Sequence, residues 1–370
     1  MKVRDAVLEY QKTVTDASTT IIDLDVPDPI SALELEVECT NGATSNEDNF
    51  ISDIVTKIEV VDGSDVLASL NMFHLEALQF YKTGKTPALF PSEWASGSQR
   101  HNAMLLFGRY LWDPVYALVP KNYRNPQLKV TMNKAAIRAA SATGFASGDN
   151  IKLSVIAKLA EEGLSPSAFL MQKEINSFVS AASGDKRIDL PTDYPYRLAL
   201  LRLWIEGSDI DEVISDLKLT CDTDKYIPFN RKVKQLDAVA QGMFGLCRLK
   251  HDFFRGGSFT ARTLTNKEPW VTGFVKTPGT PRVIVPWAQW SSTYNGELYD
   301  MAGVLDGTAR QITAMEEGHA LHSTLPVIFG RILDPETWFD ATKYGKIELV
   351  LTQATVSGDC EIVLEQVRPI

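Results

Sequence analysis

The chain repeats itself. Ile22-Asp23-Leu24 returns as Ile188-Asp189-Leu190, and Ile51-Ser52-Asp53 returns as Ile214-Ser215-Asp216. Phe107-Gly108-Arg109 returns as Phe329-Gly330-Arg331, and Ser147-Gly148-Asp149 as Ser357-Gly358-Asp359. One shared tripeptide is unremarkable in 370 residues, but these keep the same order. Their flanks agree too: Leu111 and Asp113-Pro114 follow the first Phe-Gly-Arg, and Leu333-Asp334-Pro335 the second. A large-period duplication implies two copies of one domain, which constrains the fold before any local pattern is read.

The local pattern is that of strands. Ala32-Leu33-Glu34-Leu35-Glu36-Val37-Glu38-Cys39 alternates apolar and acidic with the period of a strand that has one buried and one wet face. Ile54 to Val61, Asp62-Gly63 and Val66 to Leu70 spell a hairpin whose glycine supplies positive φ. The second half offers Leu198 to Ile205, Val213 to Thr220, Ile347 to Thr352 and Cys360 to Leu364. Short strands separated by Gly, Pro, Asn and Asp predict sandwiches. Leu70 to Tyr81, Val233 to Met243 and the 135–140 stretch are predicted short helices.

The copies differ in one place above all. Ile51 to Phe107 spans 107 − 51 = 56 positions, whereas Ile214 to Phe329 spans 329 − 214 = 115. The second copy therefore carries 59 extra residues, at about 250–310, rich in Gly, Pro, Thr and Trp. A long insertion in one loop costs little stability and usually carries a special role. The partition predicted is an N-terminal arm over 1–20 and a first domain over 21–162. A connector with its leading-in strand over 163–187 and a second domain over 188–370 complete it. Val3, Val7, Tyr10 and Val14 fall on one helical face, so the arm is predicted as a helix docked on its own or a neighbouring subunit.

Composition excludes several functions. A formal net charge of −10 argues against wrapping phosphates, whose affinity comes from Lys and Arg. Hydrophobic residues at 44% and charged residues at 23% are globular proportions. Cys39, Cys221, Cys247 and Cys360 are far apart and read as buried free thiols. No apolar run approaches the ~20 residues of a spanning helix, and no secretory signal follows Met1, which is the pattern expected of synthesis and assembly in a reducing cytoplasm.

Catalytic signatures are weak. Gly84-Lys85-Thr86 resembles the end of a phosphate-binding loop, but Gln79 stands where its first glycine belongs and Pro87 would break the helix that follows. His319 and His322, with Glu316 and Glu317, could share a metal on a helix, yet Gly318 interrupts it; a surface loop is expected. The acidic groups at 46–49, 209–212 and 222–224 lack EF-hand spacing and read as solvated turns. Arg255, Arg262 and Lys267 among Phe253, Phe254 and Phe259 could stack single strands, although a structural loop suits so acidic a chain better. No catalytic, cofactor-binding or metal-binding residue is assigned, and no cofactor or direct sequence-specific nucleic-acid binding is expected.

Asn41 to Asp48 running into Thr56 to Leu67 resembles the first jelly roll of double jelly-roll major capsid proteins of icosahedral tailless, often membrane-containing, bacterial and archaeal viruses. Leu190-Pro191-Thr192-Asp193-Tyr194-Pro195-Tyr196-Arg197 resembles the start of their second roll, and Asp334 to Asp340 the stretch before its last strands. The resemblance implies an all-β fold of two tandem eight-stranded jelly-roll β-sandwiches with a few short helices. It also implies a structural subunit that is not an enzyme. Such a subunit forms homotrimers whose six rolls give a pseudo-hexagonal capsomer, and the capsomers tile a virion shell. Partners implied are neighbouring capsomers, penton and minor capsid proteins, and an internal membrane reached by the arm. The 250–310 insertion would form an outward crown. Trp270, Trp287 and Trp290 are candidate crown or trimer-interface anchors; Val3, Val7, Tyr10 and Val14 are candidate arm contacts. Two rivals remain: a tandem β-sandwich that binds or processes carbohydrate, and a receptor-binding spike.

Overall fold

The computed structural model describes residues 2–43, 46, 49–136, 144–163, 165–275, 283–288, 293–300 and 302–370. The first copy supplies β1 (Lys2–Val14), β2 (Ser18–Asp23), β3 (Ile30–Thr40), α1 (Ile51–Ile54), β4 (Val55–Asp62) and β5 (Asp65–Leu70). It continues with α2 (Met72–Thr83), β6 (Ala88–Phe90), β7 (Ser98–Leu106), β8 (Pro126–Met132) and β9 (Ile151–Glu162). The second copy opens with β10 (Ala168–Val179), β11 (Asp185–Leu190), β12 (Tyr196–Trp204), α3 (Ile210–Val213), β13 (Ile214–Cys221), β14 (Tyr226–Lys232) and α4 (Val233–Phe244). The inserted strands are β15 (Cys247–Arg255), β16 (Ser258–Arg262), β17 (Thr265–Val275), β18 (Val283–Ala288), β19 (Thr293–Tyr299) and β20 (Arg310–Leu321). β21 (Thr324–Ile328), β22 (Ile347–Gln353) and β23 (Asp359–Pro369) close the second copy.

The duplication is repeated strand for strand. One sheet of the first copy runs β1-β9-β3-β7, with β6 added at its edge, and the other β2-β8-β4-β5. The second copy runs β10-β23-β12-β21 and β11-β22-β13-β14. Leaving β6 aside, both copies place their strands 1-8-3-6 in one sheet and 2-7-4-5 in the other. Each is an eight-stranded jelly roll, so the chain is a double jelly roll.

The two rolls share a sheet. β5 meets β10 in parallel through Ala68↔Gln172 and Ser69↔Lys173. This join makes one eight-stranded sheet, β2-β8-β4-β5-β10-β23-β12-β21. Burial follows from that position. β12 is apolar and buried on both faces: Ala199, Leu201 and Leu203 fill the second roll's core, whereas Leu198 and Leu200 join the first roll's. Its counterpart β3 alternates, with Leu33, Leu35, Val37 and Cys39 inside and Glu34, Glu36 and Glu38 half-buried outside. Each buried Leu contributes about 1.5–3 kcal/mol.

Three expectations change. The arm is the strand β1, antiparallel to β9, and not a helix. Ala6 and Leu8 pack on the core at strand spacing, while register shifts and a positive φ of 46° at Gln11 break the alternation that would have announced it. The insertion is no loop. It forms two three-stranded sheets, β15-β20-β17 and β16-β19-β18, around Phe253, Phe259, Val271, Ile312 and Ala314. Finally, His319 and His322 lie at the end of β20 and in the turn after it, and His322 is buried, so they do not share a surface loop. The predicted helices at 70–81 and 233–243 are α2 and α4. Of 135–140, Lys134–Ala136 form one 3-10 turn and 137–140 lie outside the described residues.

Candidate assembly surfaces

α2 and α4 occupy the same place, between strands five and six of their rolls. Asn71 precedes α2 and Lys232 precedes α4, so Met72 corresponds to Val233 and Lys82 to Met243. α2 is buried from Met72 through Tyr81; in α4 only Val233, Asp237 and Ala240 are. The difference is the neighbour. α2 is covered by the second roll, whereas among the described residues nothing covers the outer side of α4.

The contacts that cover α2 are specific. Phe73 lies under the Arg202 guanidinium at 4.0 Å, and His74 Nε2 is 2.8 Å from Glu361. Tyr81 donates to the Thr324 carbonyl at 3.0 Å, and Lys82 pairs with Glu365 at 2.5 Å. Arg197 holds the other Glu365 oxygen, so this buried carboxylate has two cations. Burial works against its charge, yet Lys82 and Arg197 hold its pKa below the ordinary carboxylate value. Burial pushes Lys82 down to about 8 against the pull of Glu365. Glu76 accepts from Ser52 at 2.8 Å, lies 2.8 Å from His101 Nδ1, and also contacts His322. Burial would raise its pKa, but His101 and His322 outweigh that and hold it at about 2. A Ser, a His and a carboxylate in mutual contact suggest nucleophilic chemistry. Here all three are 1% exposed or less and belong to the first roll, so Ser52 is closed to solvent, and His322, in the turn between β20 and β21, ties the second copy to the group.

On the second roll the matching positions are open. Lys234, Gln235, Gly242 and Met243 correspond to Phe73, His74, Tyr81 and Lys82, and all four are exposed. Leu236, Val239, Ala240 and Met243 form a stripe beside the edge strand β14, where Tyr226 and Ile227 are exposed. A cleft of about 510 Å³ runs between β14, α4 and β21, lined by Phe229, Leu236, Val239, Met243 and Pro326. Alongside it Tyr226 stacks on Tyr344 and Tyr344 on Phe339, with ring centroids 5.7 and 5.5 Å apart. The stripe was legible as i, i+3, i+4, i+7 spacing; that its outer face stays bare was not.

β1 is another sheet edge. Val3, Val7 and Tyr10 are exposed, Tyr10 by 75%, while Val14 is buried. The inserted module clasps both rolls: Arg255 meets Glu93 at 2.7 Å and Arg262 meets Asp53 at 2.8 Å on the first, and Lys267 meets Asp209 at 2.5 Å on the second. Trp270 is 71% exposed on it and donates to Thr272 Oγ1. Trp287 belongs to β18, paired with Asn295, and Trp290 lies outside the described residues. All four cysteines are buried free thiols; burial pushes Cys39 and Cys360 up to about 12. Among the described residues no group of three or more His, Cys, Asp or Glu is placed to hold a metal ion.

No family model matches the chain, and no curated protein matches it. Solved structures match over its whole length. The major capsid protein of bacteriophage PM2 is 13% identical with a TM-score of 0.56, covering 100% of this chain and 98% of that one. The STIV major capsid protein is 12% identical with a TM-score of 0.61, covering 100% and 97%. The PBCV-1 virus capsid is 10% identical with a TM-score of 0.56, covering 99% and 93%. At such identities the likeness is one of fold.

Proposed function

We propose that this chain is the major structural subunit of an icosahedral viral capsid, trimerising into pseudo-hexagonal capsomers. The observation that carries the reading is the double jelly roll itself, matched end to end by capsid proteins at TM-scores of 0.56 to 0.61. Two similar rolls per chain give a trimer six similar units around its axis, which suits tiling with few distinct contacts. The clasped inserted module faces outward as a crown. Neighbouring capsomers, penton and minor capsid proteins are its partners in the virion, and a membrane beneath the shell would meet the inward ends of the rolls.

The test is the native mass by light scattering, followed by electron microscopy. Three times 41.0 kDa, with shells at higher concentration, is the expected result. A monomer at every concentration refutes it.

A further inference from the structure

We propose that the intrachain contact between the rolls is repeated between chains: β14 and α4 of one copy dock on β1, β9 and β3 of the next. This rests on the trimeric reading above, and names the surfaces that make it.

One half of the pair is already visible. Within the chain, strand five of the first roll (β5) continues into strand one of the second (β10). Among the described residues strand five of the second roll, β14, ends its sheet without a neighbour, and strand one of the first roll, β1, ends its own. Joining them gives β11-β22-β13-β14 followed by β1-β9-β3-β7-β6 of the next copy, the strand sequence the shared sheet already has. The contact is heterologous, so each copy offers one edge of each kind and a ring of copies leaves neither open. Pro228 in β14 and the bulges in β1 suit edges that must not pair indiscriminately.

The register carries over. Ile58↔Leu70 and Leu217↔Arg231 are equivalent pairs, each three places into β4 and β13, so Ala68 and Ser69 correspond to Phe229 and Asn230. Lys173 faces Leu364 and Glu9 faces Val155, each four places beyond the buried Cys360 and Ile151 that begin the pairing inward. Ser69↔Lys173 therefore becomes Asn230 beside Glu9 of the next copy.

The side chains agree. By the same equivalence, Arg202 corresponds to Glu38, because Leu203 faces Cys360 as Cys39 faces Ile151. Glu365 corresponds to Ile156. The Phe73–Arg202 contact becomes Lys234 against Glu38 of the next copy, opposite charges. The Lys82–Glu365 pair becomes Met243 against Ile156, two apolar groups. Both partners changed together in each case, so the bare face of α4 and the outer face of β3 and β9 are complementary as they stand.

The experiment joins Glu9→Cys and Asn230→Cys in one chain, under mild oxidation, with the four native thiols buried. The expected product is a covalent ladder ending at three chains, while each single variant stays one chain on a denaturing gel. Met243→Cys with Ile156→Cys, bridged by a short bis-maleimide, repeats the test away from the edge strands. A trimer by native mass with neither pair linked, or Glu9→Cys linking to itself, overturns the proposed surfaces and leaves the capsid reading intact. A chain that is monomeric throughout sinks both.

Discussion

α2 and α4 are the same helix met twice, and they differ in almost everything that depends on a neighbour. α2 carries His74, Glu76 and Lys82 into a buried network, each answered by a charge from its own roll or the other. α4 carries Gln235, Asp237 and Met243 at those places and shows Val239 and Met243 to solvent. The lesson is that a duplicated domain keeps its strand order cheaply while its outer face is rewritten by whatever it touches. An apolar stripe left uncovered among the described residues is then the surface that the proposed assembly would use.

Substitutions at matched positions separate the two helices. Leu78→Asp buries an unpaired charge where the side chain is 1% exposed, and should cost about 5 kcal/mol of chain stability in a denaturant titration. Its counterpart Val239→Asp should change chain stability by less than about 0.5 kcal/mol while the native mass falls to that of one chain. Equal losses in both would mean that α4 is as much a core helix as α2. Glu365→Leu leaves Lys82 and Arg197 buried without their anion, and should cost about 4 kcal/mol, read as a shifted unfolding midpoint.

Acid should act next. The Glu76 carboxyl is held from 4.5 down to about 2, so its ionised form stabilises the fold above pH 4.5. That contribution, about 3 kcal/mol, is lost as pH falls through 4.5 toward 2. His322, pushed down by burial, moves stability the same way below its ordinary 6.5. Glu76→Gln should flatten the pH profile of the melting temperature over that window; an unchanged profile would place the acid sensitivity elsewhere. The smallest effect is local. Gly63 sits at φ 61° in the β4–β5 turn, so Gly63→Val should cost about 1–2 kcal/mol, and an unchanged melting temperature would contradict that geometry.

Much of this fold was legible because strand alternation is a local signal and the duplication shows in short matched segments. Three repeated anchors fall at equivalent places: the ends of β2 and β11, the exits of β7 and β21, and the approaches to β9 and β23. The fourth misleads by one helical turn. Ile51 opens α1, whose counterpart α3 opens at Ile210, whereas Ile214 begins β13. β1 was misread because its bulges scatter Val3, Val7, Tyr10 and Val14 into a helical spacing, and its inward side is marked only by Ala6, Leu8 and Val14. The bare face of α4 could not be read at all. An amphipathic stripe declares that one side is covered, and a helix with two apolar sides looks like a buried one.

The shared sheet also sets an order in time. β23 lies between β10 and β12, although it follows β12 by more than a hundred residues. Until Asp359–Pro369 has left the ribosome, β10 and β12 face each other across an empty place, each with an unsatisfied ladder. The second roll cannot close before then, and closure of so distant a contact is slow. A nascent chain of this kind carries that half-sheet open from β12 onward, and only one translated through residue 369 can close it.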